Sequence, residues 1–171
     1  MPWIANMGMR EAEKFEPGPD TVCVSITEPK SDRCYGLEAN ISQGYTGILR
    51  LQFEDYDSLR LHPPDAVLFT ETQAKMVTDF VTRHRGENIL VHCSAGISRS
   101  GAIVDAILQA FPEYEDRGKT RFPNGHVRSL MKKALGLVPS GKIEEPMRCF
   151  GHMPIPRSIW DYLKNVAGIY K

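Results

Sequence analysis

The sequence has little that would tie it to a charged polymer, a membrane or a disulfide scaffold. Its 21 Lys and Arg residues are balanced by 21 Asp and Glu, so no excess of positive charge points to nucleic acid or an anionic membrane as the main partner. No apolar run approaches the length of a transmembrane helix. Residues 1–10 lack the basic segment followed by a long apolar stretch that marks a secretory leader. Only four cysteines occur, Cys23, Cys34, Cys93 and Cys149, and none forms a C-x-x-C pair, which indicates neither a zinc site nor a disulfide framework. Internal repeats and low-complexity tracts are also missing. The expectation is a soluble, unprocessed chain of a reducing, cytoplasmic compartment. Its 171 residues, 42% hydrophobic and 25% charged, suit one domain over residues 1–171 with a substantial core.

What the sequence does contain is concentrated in residues 92–100, His92-Cys93-Ser94-Ala95-Gly96-Ile97-Ser98-Arg99-Ser100, directly after the apolar stretch Ile89-Leu90-Val91. A cysteine and an arginine separated by five mostly small residues can close one tight loop, with sulfur at its floor, backbone N–H groups turned inward and the guanidinium across its rim. Such a loop binds an oxyanion. A phosphate dianion favours many donors and no competing acceptors, which main-chain amides at a helix N-terminus supply. Arg99 adds a planar fork whose two parallel hydrogen bonds match phosphate oxygens better than an ammonium would. The same positive field favours Cys93 as the thiolate. Gly96 allows positive φ and close approach of the backbone to a ligand, while Ser94, Ala95 and Ser98 leave the loop uncrowded. Ser100 can donate its hydroxyl to the sulfur, and His92 is expected to bond neighbouring backbone and fix the loop.

Periodicity places this run within a pattern of strands and helices. Residues 21–26 read as a buried strand ended by the Thr27-Glu28-Pro29 turn, and residues 47–53 as a second. Thr70-Glu71-Thr72-Gln73 has the capping-box pattern and opens a helix with Ala74, Val77, Val81 and His84 on one stripe, stopped at Gly86. Residues 88–92 form the strand that delivers the loop. From Arg99, the pairs Ala102/Ile103, Ala106/Ile107 and Ala110/Phe111 recur every fourth residue, which makes a helix buried along a broad face and ending near Pro112. Asn124 can cap a helix with Val127, Leu130, Met131, Ala134 and Leu135 as its apolar stripe and Gly136 at its stop. Residues 138–156, rich in proline, read as a long loop, and a last helix is expected from Ser158 with Ile159, Trp160, Leu163 and Val166 on its inner face. Strands separated by helical crossovers imply an α/β sheet flanked by helices.

With its strand before and helix after, the H-C-x5-R-S run resembles the signature of the cysteine-dependent protein tyrosine phosphatase superfamily. The length and single-domain layout are similar to its dual-specificity and small bacterial or phage-type members. The resemblance implies a short, mostly parallel central sheet with the phosphate loop at its carboxyl edge. It also implies hydrolysis of phosphomonoesters in phosphorylated proteins through a phosphocysteine, with no metal and no cofactor. In that scheme Cys93 is the nucleophile, Arg99 and residues Ser94, Ala95, Gly96, Ile97 and Ser98 hold the phosphate, and Ser100 assists the departure of sulfur.

The family also uses an Asp on a loop after an upstream strand to protonate the leaving oxygen, because expelling an unprotonated alkoxide or phenoxide is costly. Here that loop follows residues 49–53 and offers Glu54, Asp55 and Asp57. Asp55 matches best and Asp57 is its rival. Pro123-Asn124 matches a Pro-Asn step that supports the phosphate loop in dual-specificity members, a role compatible with capping, since the amide oxygen can cap while the nitrogen donates elsewhere. The Trp-Pro-Asp acid loop, the glutamine-rich water-positioning loop and the aromatic recognition loop of the larger tyrosine phosphatases have no counterpart. Phosphotyrosine alone and phosphotyrosine with phosphoserine or phosphothreonine both remain open as substrates. The absence of Lys or a further His among Ser94, Ala95, Ile97 and Ser98 favours a phosphoprotein over the phosphoinositides or RNA 5′-phosphates of basic-loop relatives.

Two other classes use related loops. A phosphate-binding module without turnover would usually lose the Cys, the Arg or the acid. A Cys-based sulfurtransferase or arsenate reductase fits less well with Arg99-Ser100 and an upstream Asp loop. Elsewhere, His126 and His152 read as structural or surface residues, and Arg121, Arg128, Lys132 and Lys133 as a solvated basic face. Cys23 reads as core and Cys34 as a loop residue, either able to act as a resolving thiol if it lies near Cys93.

Overall fold

The computed structural model describes residues 1–30, 36, 38–41, 43–57 and 62–137. The expected loop over 138–156, the helix from Ser158, and Cys34, Cys149 and His152 lie outside the described residues. In chain order the elements are β1 (Trp3–Gly8), α1 (Met9–Ala12), β2 (Thr21–Thr27), β3 (Gly47–Gln52), α2 (Glu71–Arg83), β4 (Asn88–Cys93), α3 (Arg99–Ala110), β5 (Glu115–Asp116) and α4 (Gly125–Ala134). The strands form one five-stranded sheet in the order β3-β2-β4-β1-β5, and every pair is parallel. The fold is α/β, as the alternation of elements predicts.

Burial follows from the parallel arrangement, which covers both faces of the inner strands. All seven residues of β2 are buried, whereas β3, at the sheet edge, alternates buried or half-buried with exposed positions. On the first face Ile4, Val22, Val24, Ile26, Ile89 and Val91 pack with Val77 and Val81 of α2, Ala102, Ile103, Ala106 and Ile107 of α3, and Val127 and Met131 of α4. Residues one step along the strands turn to the other face, where Ala5, Cys23 and Leu90 meet Ala12, Ala39 and Ile41. The capping box at α2 is formed: Thr70 Oγ1 accepts from the Gln73 N–H at 3.2 Å, and the Thr70 N–H donates to Gln73 Oε1 at 3.0 Å.

Two strands lie where no periodic signal predicts them. β1 carries Asn6 and Gly8, both poor strand formers, and owes its place to pairing with β4 on one side and β5 on the other. β5 is only two residues, both exposed, held by pairing with Trp3 and Ile4. Among the described residues no helix is long and apolar enough to cross a membrane.

The functional consequence lies in the position of β4. It is the middle strand, and because its neighbours run parallel to it, the carboxyl ends of β1, β2 and β4 open on the same edge. That edge is where open α/β sheets place ligands.

Candidate active site

Residues 94–98 connect the end of β4 to the start of α3 and fold over the side chain of Cys93, which is 1% exposed. The Gly96 N–H donates to Cys93 Sγ at 3.2 Å, and Ser100 Oγ lies 3.2 Å from the same sulfur. Gly96 has φ +78°, and a Cβ there would stand 2.3 Å from Gly8 N and Met7 C, so both the backbone conformation and the close pass over β1 require glycine. β1 also braces the loop directly. Asn6 Nδ2 donates to the Gly96 carbonyl at 2.6 Å, while its Oδ1 accepts from the Lys119 N–H at 3.1 Å. The Met9 N–H donates to the Ser94 carbonyl at 3.2 Å.

Arg99 is 2% exposed. Its Nη1 donates to the Phe53 carbonyl at 2.9 Å, and its Nη2 donates to Glu28 Oε1 at 2.9 Å and to Ser94 Oγ at 3.0 Å. Nε lies 3.6 Å from Asp55 Oδ2 and is buried without a hydrogen bond among the described residues. The N-terminus of α3 is left open as well. Ser98 stands at the N-cap but makes no capping bond with its side chain, because its hydroxyl donates to Asp55 Oδ1 at 2.9 Å. A buried guanidinium, an uncapped helix N-terminus and a thiol at the loop floor form an anion-binding environment.

The three acidic residues after β3 part company. Glu54 turns inward and is 6% exposed; its N–H donates to the Val67 carbonyl at 2.7 Å, and its Oε2 accepts from the Val67 N–H at 2.8 Å. Asp57 accepts from the Gly125 N–H and, at 3.3 Å, from the His126 N–H, which caps the first turn of α4. Asp55 contacts the loop, through Ser98 and Arg99. Asn124 holds it there with both ends of one amide: Nδ2 donates to Asp55 Oδ1 at 2.8 Å while Oδ1 accepts from the Val127 N–H at 3.0 Å. The main chain beside it also grips the loop, since the Phe122 N–H donates to the Ile97 carbonyl and the Asn124 N–H to the Ser98 carbonyl.

His92 interacts with the neighbouring backbone at Cys93, as expected, and its Nε2 also meets Ser25 Oγ at 2.8 Å, because strand alternation sends the ring to the face opposite Cys93, level with Ser25 on β2. Burial pushes its imidazole down to about 4. A folded value below the ordinary 6.5 means that the unfolded chain binds the extra proton first, so stability is lost as pH falls from about 6.5 to about 4. The expected loss is on the order of 2–3 kcal/mol. Urea midpoints followed across this range should fall less steeply for His92→Gln than for wild type, and equal slopes would show that His92 is not the acid-sensitive group.

Other sequence candidates fall away from the site. Cys23 stands opposite Leu90 in register, three positions before Cys93 on β4 and on the other face, and burial pushes its thiol up to about 12. It is therefore not placed to resolve Cys93. His126 Nε2 lies 2.9 Å from the Phe69 carbonyl. Two members of the basic cluster are engaged in ion pairs, Arg121 with Asp105 and Asp116 and Lys133 with Glu71, so Arg121, only 14% exposed at its side chain, is not part of a solvated face. Among the described residues no three His, Cys, Asp or Glu side chains are grouped to hold a metal ion.

Two residues of the site escaped sequence reasoning. Asn6 lies on β1, which no pattern announces. Glu28 had a usable signal, since it lies in the turn that ends the strand read over residues 21–26, and polar residues at the carboxyl end of a parallel strand face the ligand edge. Comparison with models of known families, with curated proteins and with solved structures finds no match for this chain.

Proposed function

We propose that the protein hydrolyses phosphomonoesters through a phosphocysteine intermediate, acting on phosphotyrosine in proteins, with phosphoserine and phosphothreonine as further substrates of the same site. The observation that carries this reading is the meeting of Cys93, Arg99 and Asp55, drawn from β4, α3 and the loop after β3, around one short loop at the carboxyl edge of the sheet.

In the first step the Cys93 thiolate attacks phosphorus in line. The P–S bond forms as the ester P–O bond breaks, and Asp55 gives its proton to the departing oxygen. Arg99 and the loop amides hold the equatorial oxygens as charge shifts onto them. In the second step water attacks phosphorus, Asp55 takes its proton, the P–S bond breaks, and inorganic phosphate leaves with the thiolate restored. Ser100, 3.2 Å from the sulfur, stabilises the anion in both directions. Such chemistry needs a reduced thiol, which is in keeping with a reducing, cytoplasmic compartment. A disulfide-cycling arsenate reductase would need a second thiol in reach, and Cys23, the other described cysteine, is on the opposite face.

The test is release of phosphate from phenyl phosphate and from a phosphotyrosyl peptide, with and without a chelator. Turnover that is indifferent to chelation is expected. Phosphate binding without release would leave a binding module, and activity lost to chelator and restored by a divalent ion would move the protein to a metal-dependent class.

A further inference from the structure

We propose that the Glu28 carboxylate is a built-in occupant of the anion seat, an internal competitor that an incoming phosphate displaces. The proposal takes from the phosphatase reading only the identity of the displacing ligand.

Glu28 is the first residue after β2, and β2 pairs with β4, so their common carboxyl edge sets Glu28 beside the loop. Its Oε1 accepts from Arg99 Nη2 at 2.9 Å and from Ser94 Oγ at 3.1 Å, and Ser94 Oγ in turn accepts from Nη2 at 3.0 Å. One carboxylate oxygen thus uses a guanidinium nitrogen and a loop hydroxyl, the two kinds of donor that a phosphate oxygen would use. The rest of Arg99 is already committed or in reserve. Nη1 is bonded to the Phe53 carbonyl, and Nε is buried without a hydrogen bond among the described residues.

The two partners differ in freedom. The Arg99 side chain is 3% exposed and anchored by the main chain, whereas that of Glu28 is 39% exposed. Glu28 is therefore the group that can turn away, and on doing so it recovers hydration, so the exchange is inexpensive. A bound phosphate dianion would also add a third anionic group beside one guanidinium, with Asp55 already 3.6 Å from Nε, and departure of Glu28 relieves that crowding. The resting loop is then not an empty nest. It selects for ligands whose charge and number of acceptors exceed what one carboxylate supplies.

A rival role has the opposite sign. If Glu28 only aligns Arg99, neutralising it weakens anion binding. Inorganic phosphate titrated calorimetrically into the full chain should bind Glu28→Gln about threefold to tenfold more tightly than wild type. Glu28→Ala, which removes the occupant outright, should shift in the same direction. An unchanged or weaker phosphate Kd in the variants overturns the proposal. The measurement needs no turnover: tighter phosphate binding in a protein that releases nothing from aryl phosphates keeps the competitor and defeats the hydrolase reading. Turnover with no tightening does the reverse.

Discussion

Cys93→Ser should abolish the proposed turnover and leave phosphate binding in place. The substitution exchanges sulfur for oxygen at a side chain that is 1% exposed, so the packing around it barely changes. In the proposed reaction it removes the nucleophile, since a serine hydroxyl with no base beside it stays protonated and attacks phosphorus poorly. The donors that hold the anion are elsewhere: Arg99 is fixed through the Phe53 carbonyl, and Gly96 is fixed by its φ and by Asn6. Phosphate release from an aryl phosphate should fall below about a hundredth of the wild-type rate, a loss of at least about 2.7 kcal/mol in transition-state stabilisation. Calorimetry should find inorganic phosphate bound within a few-fold of wild type. Residual turnover above that hundredth would mean that another group attacks.

Asp55→Asn should be nearly as damaging, and its signature is dependence on the leaving group. Only a poor leaving group needs a proton, so the loss should reach roughly 10²–10⁴-fold with phenyl phosphate or phosphotyrosine and shrink toward unity with highly activated aryl phosphates. Asp57→Asn provides the contrast. Its carboxylate caps α4 through the Gly125 and His126 N–H groups, so it should lower stability by about 1 kcal/mol with little change in kcat. A leaving-group-dependent loss on Asp57→Asn and not on Asp55→Asn would reverse the assignment of the acid.

The distinction between these aspartates shows where sequence reasoning runs out. Both lie in one acidic loop with no periodicity, and the facts that separate them are long-range: Asn124 and Ser98 reach Asp55, while α4 claims Asp57. The loop from Cys93 to Arg99 was legible because its chemistry is local, with small residues, one glycine and a following helix all within a single run. Helices α2, α3 and α4 were legible from their stripes, and α2 and α4 also from their caps, Thr70 and Asn124, whereas the four-residue α1 carries no such pattern. β1 was not, because its burial comes from neighbours on both sides and not from an apolar pattern of its own. Asn6, the residue that ties the Gly96 carbonyl to the sheet, was hidden with it.

A sheet in which every pair is parallel contains no hairpin, and this shapes the order of events in time. The earliest pairing open to the chain, β2 with β3, already requires closure around the segment from Val22 to Gly47, and β4 must then find β2 from farther away. Non-local closures of this kind slow folding, because loop-closure entropy is lost before the pairing rewards it. β1 and β4 pair across a still longer stretch, Ile4 with Ile89. Since the Gly96 carbonyl is tied to Asn6 on β1, a chain whose β1 has not yet docked holds Cys93 and Arg99 without the brace beneath them. During refolding, secondary structure would therefore return ahead of a competent oxyanion loop.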